Sequence, residues 1–137
     1  MKIFIDTSAF IAHLIKQEID HDEVLAKYNL YRNQKAIFLT SNYVIDELLT
    51  WFVSHQNKIS TQKLVNFLEK LTQSKELRVL YIDQTTDSRA QAILLKFFEH
   101  KISFTDATTY VLYKDFKIDE IFTLDRNFKR MRLTTSF

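Results

Sequence analysis

Short apolar runs alternate along this chain with longer segments in which apolar residues recur every three or four positions. The short runs are rich in β-branched and aromatic residues and predict four strands, at residues 2–5, 36–41, 76–83 and 119–125. The longer segments have helical periodicity and predict six helices, at residues 6–17, 20–35, 41–56, 60–74, 84–100 and 103–117. The tail, 126–137, is expected to form a helical turn or loop and then a short edge strand.

The alternation of strands and helices indicates an α/β fold with a mostly parallel sheet. The chain has 137 residues, of which 46% are hydrophobic, so we expect one domain that covers residues 1–137. No apolar stretch is long enough to span a membrane. Because the first apolar run is broken at Asp6, a signal peptide is not expected either, and the default expectation is a cytoplasmic protein.

Three residue types are absent from the chain: glycine, proline and cysteine. Without cysteine the chain has no disulfide, no thiolate zinc site and no cysteine nucleophile. Without glycine it lacks the phosphate-binding loops of P-loop and dinucleotide-binding proteins, in which the backbone approaches phosphate closely. Turns that need a positive φ are therefore expected at Asn, Asp or Lys residues. The net charge of +2 is too small to indicate a nucleic-acid partner by itself.

Two of the predicted strands lead directly into an aspartate. Asp6 follows the apolar run in "KIFIDTS", and Asp125 follows the run in "FTLDRNF". Because ligands of parallel α/β sheets bind beyond the carboxyl ends of the strands, we expect both side chains at a functional site. Taken singly, each could instead be a helix-capping or turn residue.

Two further acids could complete this site. Asp106 lies in the first turn of a predicted helix, three residues after Ser103, in the pattern of a capping box. Glu47 lies in the middle of the predicted helix "YVIDELLTWF", where its neighbour Asp46 is the alternative if the helix phase differs by one position. We prefer Glu47 because it shares one helix face with Tyr43 at i, i+4 spacing.

Four carboxylates in one site would repel one another strongly. Each pair about 4 Å apart costs roughly 4 kcal/mol at an effective dielectric constant of 20. Protons or cations must neutralise such a cluster, and oxygen ligands without His or Cys favour Mg²⁺ or Mn²⁺. A cation held in this way suits the hydrolysis of a phosphodiester, which needs no side-chain nucleophile.

The order of these acidic motifs resembles that of the PIN-domain nucleases, and in particular the toxins of bacterial toxin–antitoxin pairs. The resemblance covers the whole chain through "FIDTSAF", "YVIDELL", "ISFTDATTY" and "IFTLDRNF". It implies a single three-layer domain with four to five strands in a mostly parallel sheet flanked by helices. It also implies an Mg²⁺- or Mn²⁺-dependent endoribonuclease, a homodimer, and an antitoxin whose peptide masks the acidic pocket.

The resemblance also assigns roles to residues. The catalytic, metal-binding acids would be Asp6, Glu47, Asp106 and Asp125. Supporting roles would fall to the hydroxyl side chains of Thr7, Ser8, Ser103 and Thr123, with Ser103 capping the helix that carries Asp106. The chain departs from the family after its fourth motif, where "KRMRL" stands in place of a frequent glycine.

Basic residues gather near the end of the chain, at Arg126, Lys129, Arg130 and Arg132. They could bind RNA phosphates or could simply form a solvated surface.

Three other functions are compatible with parts of the pattern. The main alternative is a catalytically degenerate PIN fold that binds RNA or protein. A haloacid dehalogenase-type phosphatase needs a second Asp two residues after the first, where this chain has Ser8. A receiver domain needs an acidic pair after its first strand, and that pair is missing.

Overall fold

The computed structural model describes all 137 residues. Its four strands are β1 (Lys2–Ile5), β2 (Ile37–Ser41), β3 (Leu77–Leu80) and β4 (Glu120–Phe122). Its seven α-helices are α1 (Thr7–Leu14), α2 (His21–Asn33), α3 (Asn42–His55), α4 (Lys58–Gln73), α5 (Gln84–Lys96), α6 (Phe104–Asp115) and α7 (Asn127–Arg130). A single 3-10 turn at Phe98–His100 follows α5.

The strands form one parallel sheet in the order β3-β2-β1-β4. The chain moves from β1 outward to β2 and β3, and then returns to place β4 on the other side of β1. Because crossovers between parallel strands are right-handed, the two directions of travel put helices on both faces of the sheet. The predicted α/β class and parallel sheet are confirmed. The expected edge strand of the tail is reduced to one parallel bridge between Ile121 and Thr135.

The most deeply buried strand residues lie in β1 and in its neighbour β4. Ile3 and Phe4 of β1 and Ile121 and Phe122 of β4 have no more than 1% of their surface exposed. Strands covered on both faces cannot alternate apolar and polar residues, which explains the continuous apolar runs in the sequence. None of the helices combines the length and the apolarity needed to cross a lipid bilayer.

Several predicted elements are shorter than expected. Helix α1 ends at Leu14 instead of residue 17, and α5 ends at Lys96, where the last predicted turn becomes a 3-10 turn. Strand β3 ends at Leu80, because Asp83 is already the N-cap of α5 and its Oδ1 accepts a hydrogen bond from the Thr86 N–H at 2.8 Å.

Basic residues occupy every position with a positive φ: Lys35, Lys75, Lys101, Lys117 and Arg132. The prediction that lysines would take such positions is confirmed, but Asn and Asp are not used, and Arg132 was not foreseen. Lys35 shows how the strain is tolerated. The Lys35 N–H donates to the Arg32 carbonyl at 2.9 Å and the next N–H donates to the Tyr31 carbonyl at 3.0 Å, which is the Schellman ending of a helix.

Candidate active site

The sheet topology creates a site at the carboxyl ends of β1 and β4. The chain leaves β1 in one direction and returns to its other side, so the strand order reverses between these two strands. A crevice opens at such a point in parallel α/β sheets. Asp6 directly follows β1, and its N–H donates to the Phe122 carbonyl of β4 at 3.0 Å, which holds the two strand ends together.

Two hydroxyls fix one oxygen of the Asp6 carboxylate. Thr123 Oγ1 donates to Asp6 Oδ2 at 2.8 Å, and Ser8 Oγ lies 3.2 Å from the same oxygen. The two hydroxyls in turn accept the N–H groups of Leu124 and Asp125, each at 2.9 Å. No side-chain donor occupies Asp6 Oδ1. Asp6 is therefore held in place by the loop after β4.

Glu47 is half-buried and joined to the start of α1. Thr7 Oγ1 donates to Glu47 Oε1 at 2.8 Å. The buried residues Val44 and Leu48 fix the phase of α3, and this phase leaves Asp46 exposed to solvent. Of the two acids considered from the sequence, the structure directs Glu47 towards the site.

Asp106 is buried in the first turn of α6, with 7% of its surface exposed. The Ser103 N–H donates to Asp106 Oδ2 at 3.2 Å, and the Asp106 N–H donates to Ser103 Oγ at 3.0 Å. This reciprocal pair confirms the capping box predicted from the sequence. The cap holds the carboxylate at the positive end of the helix dipole, where a negative charge is favourable.

Asn127 connects the third and fourth acids. Its backbone N–H donates to Asp125 Oδ1 at 2.9 Å, and its Nδ2 lies 3.4 Å from Asp106 Oδ2. Its own Oδ1 accepts from Arg130 Nη1 at 3.2 Å. Sequence reasoning gave Asn127 no place in the site. The available signal was the Asp-x-Asn spacing, which is typical of a side chain that accepts a bond from the backbone two residues on.

The charges of the four acids affect one another's ionisation. We refer to Asp6, Glu47, Asp106 and Asp125 as the acid cluster. Burial is the largest of the causes that raise the pKa of Asp6 from 3.8 to about 7. The charges of Asp106 and Glu47 contribute to this rise, and the Thr123 hydrogen bond opposes it. Burial likewise raises the pKa of Asp106, with Asp125 adding to the increase. Each acid is thus coupled to at least one of the others.

The sequence of this chain matches the model of a known family. The PIN-domain family matches residues 3–133, which is nearly the whole chain. The chain belongs to the PIN-domain family. The resemblance drawn from the acidic motifs is therefore confirmed.

Solved structures share the fold of this PIN domain at low sequence identity. VapC20 from Mycobacterium tuberculosis, described as a toxin that cleaves the sarcin-ricin loop, is 20% identical over 96% of both chains, with a TM-score of 0.82. VapBC2 from Rickettsia felis, solved with a fragment of its promoter DNA, is 16% identical over 99% of this chain and 98% of the other, with a TM-score of 0.72. FitAcB from Neisseria gonorrhoeae is 18% identical over 97% and 95%, with a TM-score of 0.69. Comparison with curated protein sequences gives no match.

The donor chemistry of the acid cluster fits a hard divalent cation. All of its possible metal ligands are carboxylate oxygens, and two of the carboxylates, Asp6 and Asp106, are buried. The charge of Asp106 raises the pKa of Asp6, and the charge of Asp125 raises the pKa of Asp106. No group of three or more His, Cys, Asp or Glu side chains is close enough together to form a ready-made metal cage. Mg²⁺ usually keeps several water ligands and binds one or two carboxylates, so this PIN domain fits a partly hydrated ion.

The four basic residues singled out from the sequence are all exposed: Arg126, Lys129, Arg130 and Arg132. Only Arg130 is hydrogen-bonded to the site, through Asn127. Arg132 has a φ of 61° and follows α7 as its C-terminal turn residue, which gives it a structural role as well.

Proposed function

We propose that this PIN domain is an Mg²⁺- or Mn²⁺-dependent endoribonuclease and the toxin of a toxin–antitoxin pair. The observation that carries the proposal is the burial of Asp6 and Asp106, whose pKa values are raised by burial and by the charges of neighbouring acids. Such burial is unfavourable for an acid without a functional partner. The family membership supports the same conclusion.

Each residue of the site has a role in this proposal. A bound divalent cation supplies a water of lowered pKa and neutralises charge on the scissile phosphate. Asp6, Glu47, Asp106 and Asp125 are the carboxylates that would hold it, directly or through water. Thr7, Ser8, Ser103 and Thr123 orient those carboxylates by the hydrogen bonds described above. The exposed cations Arg126, Lys129, Arg130 and Arg132 would bind phosphates of the RNA strand.

The partners follow from the family resemblance. We infer a cognate antitoxin whose peptide covers the acid cluster, and a homodimer as the assembled form of the toxin. The protein would act on RNA in the cytoplasm. Because VapC20 is described as cleaving the sarcin-ricin loop, an oligonucleotide of that loop is the first defined substrate to test.

The decisive experiment measures cleavage of total RNA and of this oligonucleotide with Mg²⁺, with Mn²⁺ and with EDTA. Asp6→Asn and Glu47→Gln should abolish metal-dependent cleavage, whereas Asp46→Asn should not, because Asp46 is exposed on the same helix. Equal loss in Glu47→Gln and Asp46→Asn would contradict the assignment of the second acid. Cleavage that persists in Asp6→Asn would indicate a contaminating ribonuclease.

A second candidate is a catalytically inactive PIN module that binds RNA or protein. The observation that favours it is the lack of a ready-made cage of three or more ligands. This candidate predicts that purified protein binds RNA, that neither metal produces fragments, and that EDTA does not weaken binding. Discrete fragments that require metal and vanish in Asp6→Asn would exclude it.

A further inference from the structure

Tyr43 and Phe104 form a pair of half-buried aromatic rings on the two helices that carry Glu47 and Asp106. Their ring centroids are 6.2 Å apart and their planes are inclined by 47°. Tyr43 lies one helical turn before Glu47 in α3, and Phe104 lies two residues before Asp106 in the first turn of α6. The pair therefore joins the amino-terminal ends of the two helices that carry two of the acids.

Core packing does not account for Tyr43. Phe104 packs against the hydrophobic core, but Tyr43 is not among the side chains that do so. Other tyrosines have clear structural partners: Tyr28 stacks on Phe38 with centroids 5.0 Å apart, and Tyr31 is buried. Tyr43 is thus an aromatic ring that contacts one other ring, one helical turn from Glu47, with part of its surface open to solvent.

The strand order places this aromatic pair across the site from the basic residues. β2 leads into α3 and Tyr43, and the central strand β1 leads into Asp6. β4 leads through Asp125 to the exposed basic residues in and around α7, which we call the α7 cations. Since neighbouring strands lie about 4.8 Å apart, β2 and β4 are separated by about 10 Å at this edge. A strand of nucleic acid that crosses Asp6 from the α7 side would arrive at Tyr43 within one or two nucleotides.

We propose that Tyr43, with Phe104 beside it, is a stacking surface for one unpaired nucleobase of the RNA substrate. This inference rests on the proposed ribonuclease function and adds to it the residue that would hold the base of a nucleotide next to the scissile phosphate. Aromatic rings bind splayed-out bases through their π faces, and this contact tolerates different bases. The α7 cations would hold the phosphates on the opposite side of the acid cluster.

The test measures binding of a fluorescently labelled single-stranded RNA to protein carrying Asp6→Asn, so that the RNA is not cleaved. Tyr43→Ala should weaken binding about tenfold, and Tyr43→Phe should stay within about twofold of the parent, because the ring is retained. The matched control is Phe116→Ala. Phe116 is also an exposed aromatic, but its carbonyl accepts a bond from Lys2 Nζ at the amino edge of the sheet, away from the acids.

A set of abasic oligonucleotides identifies the stacked base. In the parent protein, removal of one particular base should weaken binding about tenfold, and in Tyr43→Ala the same removal should have no further effect. Unchanged RNA affinity in Tyr43→Ala would overturn the proposal, whether or not that variant loses binding of a protein partner. Equal losses in Tyr43→Ala and Phe116→Ala would also overturn it.

Cleavage kinetics distinguish a failure of the stacking surface from a failure of the proposed ribonuclease function. If the wild-type protein does not cleave RNA with either metal, the proposed function fails. If it cleaves RNA, and Tyr43→Ala cleaves with unchanged KM and kcat, only the stacking surface is wrong. A rise in KM confined to Tyr43→Ala and absent from Tyr43→Phe supports it.

Discussion

Replacing Asp6 by Asn should stabilise the metal-free protein, and the gain should grow with pH. In the folded state the Asp6 carboxyl keeps its proton until the pH rises through its pKa of about 7, whereas in the unfolded chain it loses that proton near 3.8. The unfolded state therefore ionises first as the pH rises. The contribution of Asp6 to stability falls between about pH 4 and pH 7.

The size of the effect follows from the two pKa values. Each tenfold change in proton affinity corresponds to about 1.4 kcal/mol. A pKa raised from 3.8 to about 7 makes the folded state about 4 kcal/mol less stable at pH 8 and about 2 kcal/mol less stable at pH 5. Asn carries no charge, and its side-chain oxygen can accept the bonds that Thr123 and Ser8 now donate to Asp6 Oδ2.

The assay is urea unfolding of wild type and Asp6→Asn in EDTA at pH 5 and pH 8. The difference in unfolding free energy should be about 2–3 kcal/mol larger at pH 8. Asp46→Asn is the control, and as an exposed change it should stay within about 0.5 kcal/mol of wild type at both values. An equal difference at pH 5 and pH 8 would refute the assignment of a buried, ionisation-resistant carboxyl. Saturating Mn²⁺ should stabilise wild type at pH 8 but not Asp6→Asn.

Three further changes test other parts of the structure. Asn127→Ala should lower kcat/KM for RNA cleavage by about tenfold or more, because Asp106 loses the hydrogen bond from the Asn127 side chain. Unchanged cleavage would contradict a positioning role for Asn127. Lys35→Gly should raise the free energy of unfolding by about 1 kcal/mol, because Lys35 has a φ of 57°, a conformation that glycine adopts without strain. Lys35→Ala should bring no gain in stability, and a Gly variant less stable than the Ala variant would refute this prediction. Tyr31→Phe should lower stability by about 1–3 kcal/mol through the lost bond to Glu120 and leave cleavage unchanged, which urea unfolding and the RNA assay check together.

Much of the fold and of the acid cluster could be predicted because the signals are local. Strands buried on both faces are apolar runs, so the four strands stand out, and in a parallel sheet their ends lie at one edge. Asp6 and Asp125 could be placed at that edge from the sequence alone. Ser103 and Asp106 lie three residues apart, so their capping box is visible without any tertiary information.

The remaining features depend on contacts between distant parts of the chain. The hydrogen bond from Asn127 to Asp106 forms because α7 lies beside the first turn of α6, and no local sequence pattern predicts it. The same holds for Tyr43 beside Phe104, which requires α3 and α6 to meet across the sheet edge. The edge strand of the tail was overestimated, because Thr135 alone bridges to Ile121.

The hydrogen bonds around Asp6 explain why an unfavourable charge can persist at the centre of the fold. Thr123 and Ser8 satisfy one carboxylate oxygen and also bind the N–H groups of Leu124 and Asp125, so the acid of β1 and the acid after β4 are set by the same two hydroxyls. The hydrogen bonds from the Thr123 hydroxyl and the Thr7 backbone lower the pKa of Asp6 only in part, and burial together with the neighbouring charges still raises it to about 7. A neutral residue would serve the fold better at this position. A buried acid whose pKa is raised by burial and by neighbouring acids is typical of a functional site, and the cation proposed above would favour its charged form.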